Sequence, residues 1–211
     1  MNEVTNLNIE STFTVLRREQ LLIDQSPHSV QFEHLTERLL RAFSAAALIP
    51  PLTAEEIHLY AALALLHDVG KRAIPQEILN KPGQLTQEEF SIMKSHTTQG
   101  CDLLERIPEL RECEVFPLIC DVCRHHHERW DGNGYPDRLA GEKITPWVQV
   151  VGLADAFDAL IHPRVYKPAY PKEQASDMIL SGACGIFNPL LLACFARHIG
   201  EISQTVYSSA G

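Results

Sequence analysis

Residues 53–71, which read TAEEIHLYAALALLHDVGK, decide the fold class of this chain. Thr53 is followed three residues later by Glu56, a pattern that is typical of a capping box and predicts that a helix begins here. The apolar residues from Ile57 to Leu66 predict that this helix is buried. It would therefore carry His67 and Asp68, two residue types that bind metals, into the interior of the protein.

Helix signals recur along the rest of the chain, whereas strand signals are scarce. Thr86 and Glu89 repeat the capping-box pattern, and Pro146 and Pro189 each follow a residue type that is common at the N-cap. The sequence therefore predicts an all-α fold. Further helices are predicted over residues 10–23, 32–43, 87–104, 117–125, 146–155 and 189–200, the last ending at Gly200.

Length and charge argue against several classes of protein. With 211 residues the chain suits one large domain, and its net charge of -9 argues against binding of nucleic-acid polymers. No run approaches the roughly 20 apolar residues of a membrane span, and the N-terminus lacks the pattern of a signal peptide. We therefore expect a cytoplasmic protein without a membrane partner, in which the six cysteines are reduced.

Metal-binding residue types recur on four separate predicted helices. Any one of them taken alone is more often a core residue whose polar atoms are hydrogen-bonded. Burying all of them together would cost several kcal/mol each unless something compensates, and a metal centre compensates. The residues are His67, Asp68, His96, His125, His126, His127, Glu128, Asp155 and Asp158.

The pairing of neighbours along the chain favours two ions over one. Adjacent side chains on a helix diverge by about 100°, so His67 and Asp68 would not grip a single ion side by side. A carboxylate can instead bridge two ions, the arrangement used for in-line attack on phosphodiesters. Imidazole and carboxylate ligands without thiolate suit iron, manganese or zinc better than magnesium or calcium.

Three motifs together give the chain a family resemblance. They are HDVGK at 67–71, HHERWDGNGYP at 126–136 and ADAFDAL at 154–160. Over about residues 34–199 the chain resembles the HD-GYP family, within the HD superfamily of metal-dependent phosphohydrolases. The resemblance implies an all-α HD-domain helical bundle with a dinuclear metal site in its core. It also implies hydrolysis of cyclic di-GMP to pGpG or GMP in bacterial second-messenger signalling.

The resemblance also implies a ligand set and a cofactor. Two divalent ions are expected, iron or manganese first, with zinc or nickel as alternatives on purification. The ligands carried over by position are His34, His67, Asp68, His96, His126, His127 and Asp155. Four other histidines, His58, His125, His162 and His198, are expected to be structural.

The first of these ligands has an alternative. His34 is preferred to His28 because its neighbours Phe32 and Leu35 suit a core-facing helix, while His28 lies in a polar stretch. Some family members bind a third metal through a glutamate four residues before this histidine. Val30 occupies that position relative to His34 and cannot ligate, whereas His28 would bring Asp24 there.

The resemblance also implies which residues act on or bind the substrate. Asp68 and Lys71 are the candidate catalytic residues, with Lys71 reaching the scissile phosphate. Arg164 and Lys167 would hold the phosphates or guanines of a cyclic dinucleotide, and Tyr135 would stack on it or hydrogen bond to it. The Gly134-Tyr135-Pro136 loop either shapes the wall of the site or docks a signalling protein such as a diguanylate cyclase. The sequence also leaves open whether the chain forms a homodimer.

The predicted domain boundaries are an N-terminal helical extension at 1–30, the HD-GYP domain at 31–203 and a frayed tail at 204–211. The chain departs from the family pattern at Thr36 and Glu37, where an arginine is common, and at Gln149 and Asn188. None of these is a candidate ligand. Two other functions compete with cyclic di-GMP hydrolysis: a metal-bearing sensor or interaction module, and a hydrolase of another cyclic mononucleotide or dinucleotide.

Overall fold

The structure is a computed structural model that describes residues 3–21, 26–163 and 168–207, with side chains described from residue 11 onward. Within these ranges the chain is helical and has no strand, which confirms the predicted all-α class. No helix in them combines the length and the apolar content required to cross a bilayer. The helices are α1 (Glu3–Arg18), α2 (Pro27–Ala45), α3 (Ala54–Ala64), α4 (Gln76–Leu79), α5 (Gln87–Lys94), α6 (His96–Glu105), α7 (Pro108–Arg111), α8 (Phe116–His125), α9 (Pro146–Ile161), α10 (Lys172–Leu180) and α11 (Pro189–Tyr207).

The predicted helix starts are present where capping side chains form hydrogen bonds with the backbone. The Thr53 hydroxyl accepts from Glu56 N at 3.2 Å, while the Glu56 carboxylate accepts from Thr53 N at 2.8 Å. Thr86 and Glu89 form the same reciprocal pair at the start of α5. Each pair satisfies two backbone donors that a helix start leaves without partners.

Several predicted helix limits are wrong. The helix predicted over 10–23 is α1, which begins at Glu3 and ends at Arg18. The helix expected over 87–104 is divided at Ser95, so that α5 ends at Lys94 and α6 begins at His96. The last helix does not end at Gly200, because α11 continues to Tyr207 and buries Ile202 and Val206. The predicted tail from 204 is therefore helical as far as Tyr207.

Helix α2 packs against three others, α3, α9 and α11, and forms the centre of the core. Its buried face includes Phe32, Leu35, Leu39 and Phe43. Helix α6 packs against α8 and against a 3-10 turn at Val69–Ala73. His67 and Asp68 directly precede this turn and thus lie beside the helices that carry the other histidines.

The expectation that all six cysteines are reduced is wrong for one pair. Cys101 on α6 and Cys120 on α8 form a disulfide, with their Cα atoms 4.9 Å apart. The bond follows from the close packing of these two helices, which is invisible in the linear spacing of the cysteines. Cys123 of the C-x-x-C pair is free and buried, and its thiol donates to the carbonyl oxygen of Leu66.

Candidate metal centre

The candidate ligands are placed at helix ends and on one inward helix face. His67 and Asp68 follow the end of α3, and His96 opens α6. His126 and His127 follow α8, while Asp155 lies in the middle of α9. Helix ends allow adjacent residues such as His126 and His127 to face a common point, because the backbone leaves the helical path there.

Backbone carbonyls fix the orientation of three imidazoles. Nδ1 of His67 lies 2.7 Å from the Ala64 oxygen, and Nδ1 of His96 lies 2.7 Å from the Met93 oxygen. Nδ1 of His126 lies 2.9 Å from the carbonyl oxygen of Val122. A carbonyl can only accept, so each Nδ1 carries a proton, and in the neutral imidazole Nε2 is left with a lone pair. This is the hydrogen bonding expected behind a histidine that binds a metal.

The Nε2 atoms of the histidines converge on Asp68. Its Oδ1 lies 3.3 Å from Nε2 of His96 and 3.9 Å from Nε2 of His126, which are 3.3 Å from each other. Its Oδ2 lies 3.2 Å from Nε2 of His67, and that nitrogen lies 3.8 Å from Asp155 Oδ1. The two oxygens of Asp68 therefore face different sets of ligand atoms.

Burial and charge shift the pKa values of the four histidines in different directions. Burial, reinforced by the charge of His67, lowers the pKa of His126 to about 3, and burial likewise lowers the pKa of His96 and His127. Burial would also lower the pKa of His67, but the carboxylates of Asp68 and Asp155 outweigh it and raise the pKa to about 9. Neutral imidazoles at His96, His126 and His127 can bind cations. Cations bound here would also replace the proton on His67 beside the two carboxylates.

Two observations show that this arrangement fits a divalent metal. Oδ1 of Asp68 is buried and has no hydrogen-bond donor among the described residues. It faces nitrogens of His96 and His126 that present lone pairs, so acceptors point at one another in a buried space. His96, His126 and His127 also offer ligand atoms that all lie within 4.8 Å of one another. Imidazole and carboxylate donors of this kind suit first-row transition metals.

Three glycines allow close packing against the backbone of the ligands. A Cβ at Gly70 would overlap the carbonyl oxygen of His96, and one at Gly152 would lie 2.5 Å from the carbonyl oxygen of His126. A Cβ at Gly134 would lie 2.6 Å from the carbonyl oxygen of His127. The glycines of the HDVGK and GYP motifs thus have a packing role, which the sequence interpretation missed.

Glu128 and Arg129 hold the loop that follows the histidines. The buried carboxylate of Glu128 accepts from Asp137 N at 2.7 Å and Leu139 N at 3.0 Å. The Arg129 guanidinium donates to the carbonyl oxygens of His126 and Glu128, at 3.2 Å and 2.8 Å. Neither residue was among the predicted site residues, and their role depends on contacts that the spacing of the motif does not reveal.

A cavity of about 640 Å³ opens beside the cluster. Lys71, His96, His127 and Asp155 line its base, and the Lys71 ammonium forms an ion pair with Asp68. Tyr135 lines one side, where its ring packs on the ring of His127 with centroids 4.7 Å apart. The volume is in the range of small-molecule sites. Arg164 and Lys167, which were predicted to bind substrate, lie outside the described residues.

The structure does not bring His34 to this cluster. Phe32 is the α2 residue that contacts His67, with ring centroids 4.9 Å apart, and His34, two residues further, is exposed. Two residues correspond to about 200° around a helix, so the two side chains point in nearly opposite directions. The preference for His34 failed because the apolar face of α2 was identified correctly but His34 is not on it.

His28 lies instead in a second group of ligand-type residues. Its Nε2 is 3.5 Å from Oδ2 of Asp158, and His162 Nδ1 is 3.1 Å from Oδ1 of the same buried carboxylate. Asp158 also accepts from the hydroxyl of Tyr207 at 3.4 Å. Asp158 is three residues from Asp155 on α9, a spacing that makes their side chains neighbours on the helix surface. His162 was expected to be purely structural.

The other histidines outside the cluster have ordinary surroundings. His125 bridges Asp121 and Asp137 at 2.6 Å and 2.9 Å. His198 lies 2.9 Å from the carbonyl oxygen of Cys194, and His58 is exposed. These three positions agree with the structural role predicted for them.

Comparison with known proteins identifies the family. A family model described as HD domain matches residues 18–188. The chain belongs to the HD domain family. The HD domain is 42% identical over 147 residues to a cyclic di-GMP phosphodiesterase of Vibrio cholerae, covering 68% of this chain and 30% of that protein. It is 38% identical over 136 residues to 3'3'-cGAMP-specific phosphodiesterase 2 of the same organism, covering 64% of this chain and 25% of that protein.

A solved structure supports the fold of this HD domain. Bd1817, an HDG"Y"P protein from Bdellovibrio bacteriovorus, superposes with a TM-score of 0.60 at 17% identity and covers 93% of this chain and 62% of that one. Together with the HHERWDGNGYP motif, the relatives at about 40% identity identify the chain as an HD-GYP protein. The chain spans less than a third of the length of either curated relative.

Proposed function

We propose that this chain is a metal-dependent phosphodiesterase that hydrolyses cyclic di-GMP to pGpG or GMP at a pair of divalent ions. The observation that carries the proposal is the position of Asp68, whose two oxygens face separate groups of ligand atoms. That geometry suits a carboxylate that bridges two ions. The names of relatives at about 40% identity supply the substrate class.

Two bound ions would supply an activated water and neutralise charge on the phosphoryl oxygens. Two side chains of the protein would act on the substrate beside these ions. Lys71 presents its ammonium at the base of the cavity, where it binds a phosphoryl oxygen and stabilises developing negative charge. Burial raises the pKa of Tyr135, so its hydroxyl stays protonated and can donate a hydrogen bond to the substrate.

Replacing Lys71 with glutamine is expected to lower kcat about 10- to 100-fold while metal content stays unchanged. The loss corresponds to one charge-assisted hydrogen bond of about 1.5–3 kcal/mol in the transition state. Steady-state kinetics and metal analysis measure both quantities. Lys143→Gln, at an exposed position outside the cavity, is the matched control. A wild-type kcat in Lys71→Gln would contradict the role.

We infer that His28, and not His34, completes the ligand set, because it contacts Asp158, which lies three residues from the candidate ligand Asp155 on α9. His28→Ala is expected to lower metal content or turnover at least about 10-fold, the scale of losing a metal-site contact. His34→Ala removes the same side chain from an exposed position of the same helix and is expected to change neither by more than about twofold. The reverse pattern would restore His34 as the ligand.

The test of the function is turnover by protein purified without oxygen and loaded with Fe(II) or Mn(II). Chromatography of the reaction should show cyclic di-GMP converted to pGpG or GMP, and the product should disappear after chelation and return when metal is added. Tight binding of cyclic di-GMP without product, in protein that holds its metal, would favour a sensor and reject the enzyme.

A second substrate class has specific support, because one relative is named as specific for 3'3'-cGAMP. Competition assays with equal concentrations of cyclic di-GMP and 3'3'-cGAMP distinguish the two. A kcat/KM for 3'3'-cGAMP more than about tenfold above that for cyclic di-GMP would replace the proposed substrate. Turnover of cyclic AMP at a comparable rate would indicate that the site does not require a dinucleotide.

A further inference from the structure

We propose that Phe90 on α5 is the surface on which one nucleobase of the substrate stacks. This inference rests on the proposed function, and it assigns to Phe90 the recognition of one base of the substrate. Phe90 lines the cavity and keeps 47% of its surface exposed. Its position at the edge of the site, away from the candidate metal ligands, suits recognition of the substrate and not the chemical step.

Tyr135, the aromatic residue that the motif suggested for stacking, has one ring face covered. Its ring lies against the ring of His127, tilted by 33° with centroids 4.7 Å apart. Phe90 stands across from Tyr135, at 79° and a centroid distance of 6.5 Å. The two rings form a corner at the cavity wall, and Phe90 offers the more accessible face.

Lys94 adds positive charge to this corner. Its Nζ lies 5.2 Å from the ring centroid of Phe90 and 5.8 Å from that of Tyr135, within the range of cation–π attraction. Among the described residues no carboxylate lies within ion-pair distance of this ammonium. The ammonium lies over one face of Phe90. A base would therefore stack on the opposite face or displace the flexible lysine side chain, whose ammonium could then donate to a carbonyl oxygen at the edge of the base, such as that of guanine.

An apolar wall connects Phe90 with the metal centre. Ile78, Leu79, Leu85 and Met93 line the same cavity, and the carbonyl oxygen of Met93 holds Nδ1 of His96. A substrate with a phosphate at His96 and Lys71 would thus place an attached base along this wall toward Phe90. Single exposed apolar residues are common on proteins. Phe90 differs from them because a second ring and an ammonium share its side of a cavity.

The first test is the kinetic effect of Phe90→Ala on cyclic di-GMP hydrolysis. Loss of one base–aromatic stack is expected to raise KM about 5- to 150-fold, with little change in kcat and none in metal content. Phe90→Tyr keeps a ring and should restore KM to within about threefold. Ile92→Ala is the matched control, because Ile92 is a 42% exposed apolar residue of the same helix that does not line the cavity.

The second test detects the stack directly. Phe90→Trp places an indole at the corner, and cyclic di-GMP should quench its added emission, measured against the unmodified protein with its two native tryptophans. Unchanged KM in Phe90→Ala, or unquenched emission in Phe90→Trp at saturating cyclic di-GMP, would overturn the inference while leaving the proposed function intact. Absence of turnover in the metal-loaded wild type would overturn both.

Discussion

Replacing Asp68 with asparagine is expected to lower turnover of cyclic di-GMP at least about 10³-fold and to remove at least one metal ion per chain. Asparagine keeps the shape of the Asp68 side chain but lacks its negative charge. It also has only one of the two oxygens that face separate groups of ligand atoms. A metal contributes several kcal/mol of transition-state stabilisation, and about 4 kcal/mol corresponds to a 10³-fold rate effect. Kinetics and metal analysis of the same preparation measure the change.

The control for this variant is Asp102→Asn, which makes the same replacement at an exposed position of α6. It should retain full activity and metal content. Circular dichroism separates loss of the metal site from loss of the fold, because an isosteric change at Asp68 should leave the helices in place. Full activity of Asp68→Asn with a normal metal content would contradict the bridging role.

Gly70→Ala is expected to give the largest loss of stability of any single methyl addition near the site. A Cβ at Gly70 would overlap the carbonyl oxygen of His96 and lie 2.6 Å from the backbone nitrogen of Gly100. Helix α6 would have to move away from the turn that carries Asp68. Such overpacking costs about 1–3 kcal/mol or more, which lowers Tm by roughly 2–4 °C per kcal/mol in a domain of this size.

Thermal unfolding of Gly70→Ala and Gly200→Ala provides a matched comparison. Gly200 lies in α11 with no atom within 4 Å of an added Cβ. Alanine in a helix interior is favoured over glycine by roughly 0.5–1 kcal/mol, so Gly200→Ala is expected to raise Tm. A Tm for Gly70→Ala equal to or above that of the wild type would show that α6 does not pack on the turn as described.

Features set by neighbouring residues could be predicted from the sequence. The capping boxes at Thr53 and Thr86 are local hydrogen-bond patterns, and both are present. Prolines at Pro146 and Pro189 likewise lie in the first turns of α9 and α11. Helix ends were less predictable, because tertiary burial of Ile202 and Val206 extends α11 past Gly200.

The candidate ligands at helix ends were also accessible from sequence, since His67, Asp68, His96 and His126 approach one another in the structure. The choice between His28 and His34 could not be made from the sequence. It depends on which face of α2 meets His67, and that is decided by the contact of Phe32.

Contacts between distant residues account for the remaining differences. The disulfide joins Cys101 to Cys120 across α6 and α8, and no local pattern links those positions. The covered ring of Tyr135 and the exposed ring of Phe90 depend on how the loop after α8 meets α5. Stacking was therefore assigned to the tyrosine of the motif, although the structure leaves Phe90 as the more accessible ring.

The most direct test of the metal centre is anomalous diffraction from crystals of the protein loaded with Mn(II) or Fe(II). Two peaks are predicted, one near each oxygen of Asp68, within coordination distance of their ligand atoms. One should contact His96 and His126, and the other His67 and Asp155. Crystals without an anomalous peak in the cluster, in which these imidazoles bond only to protein neighbours, would contradict the account.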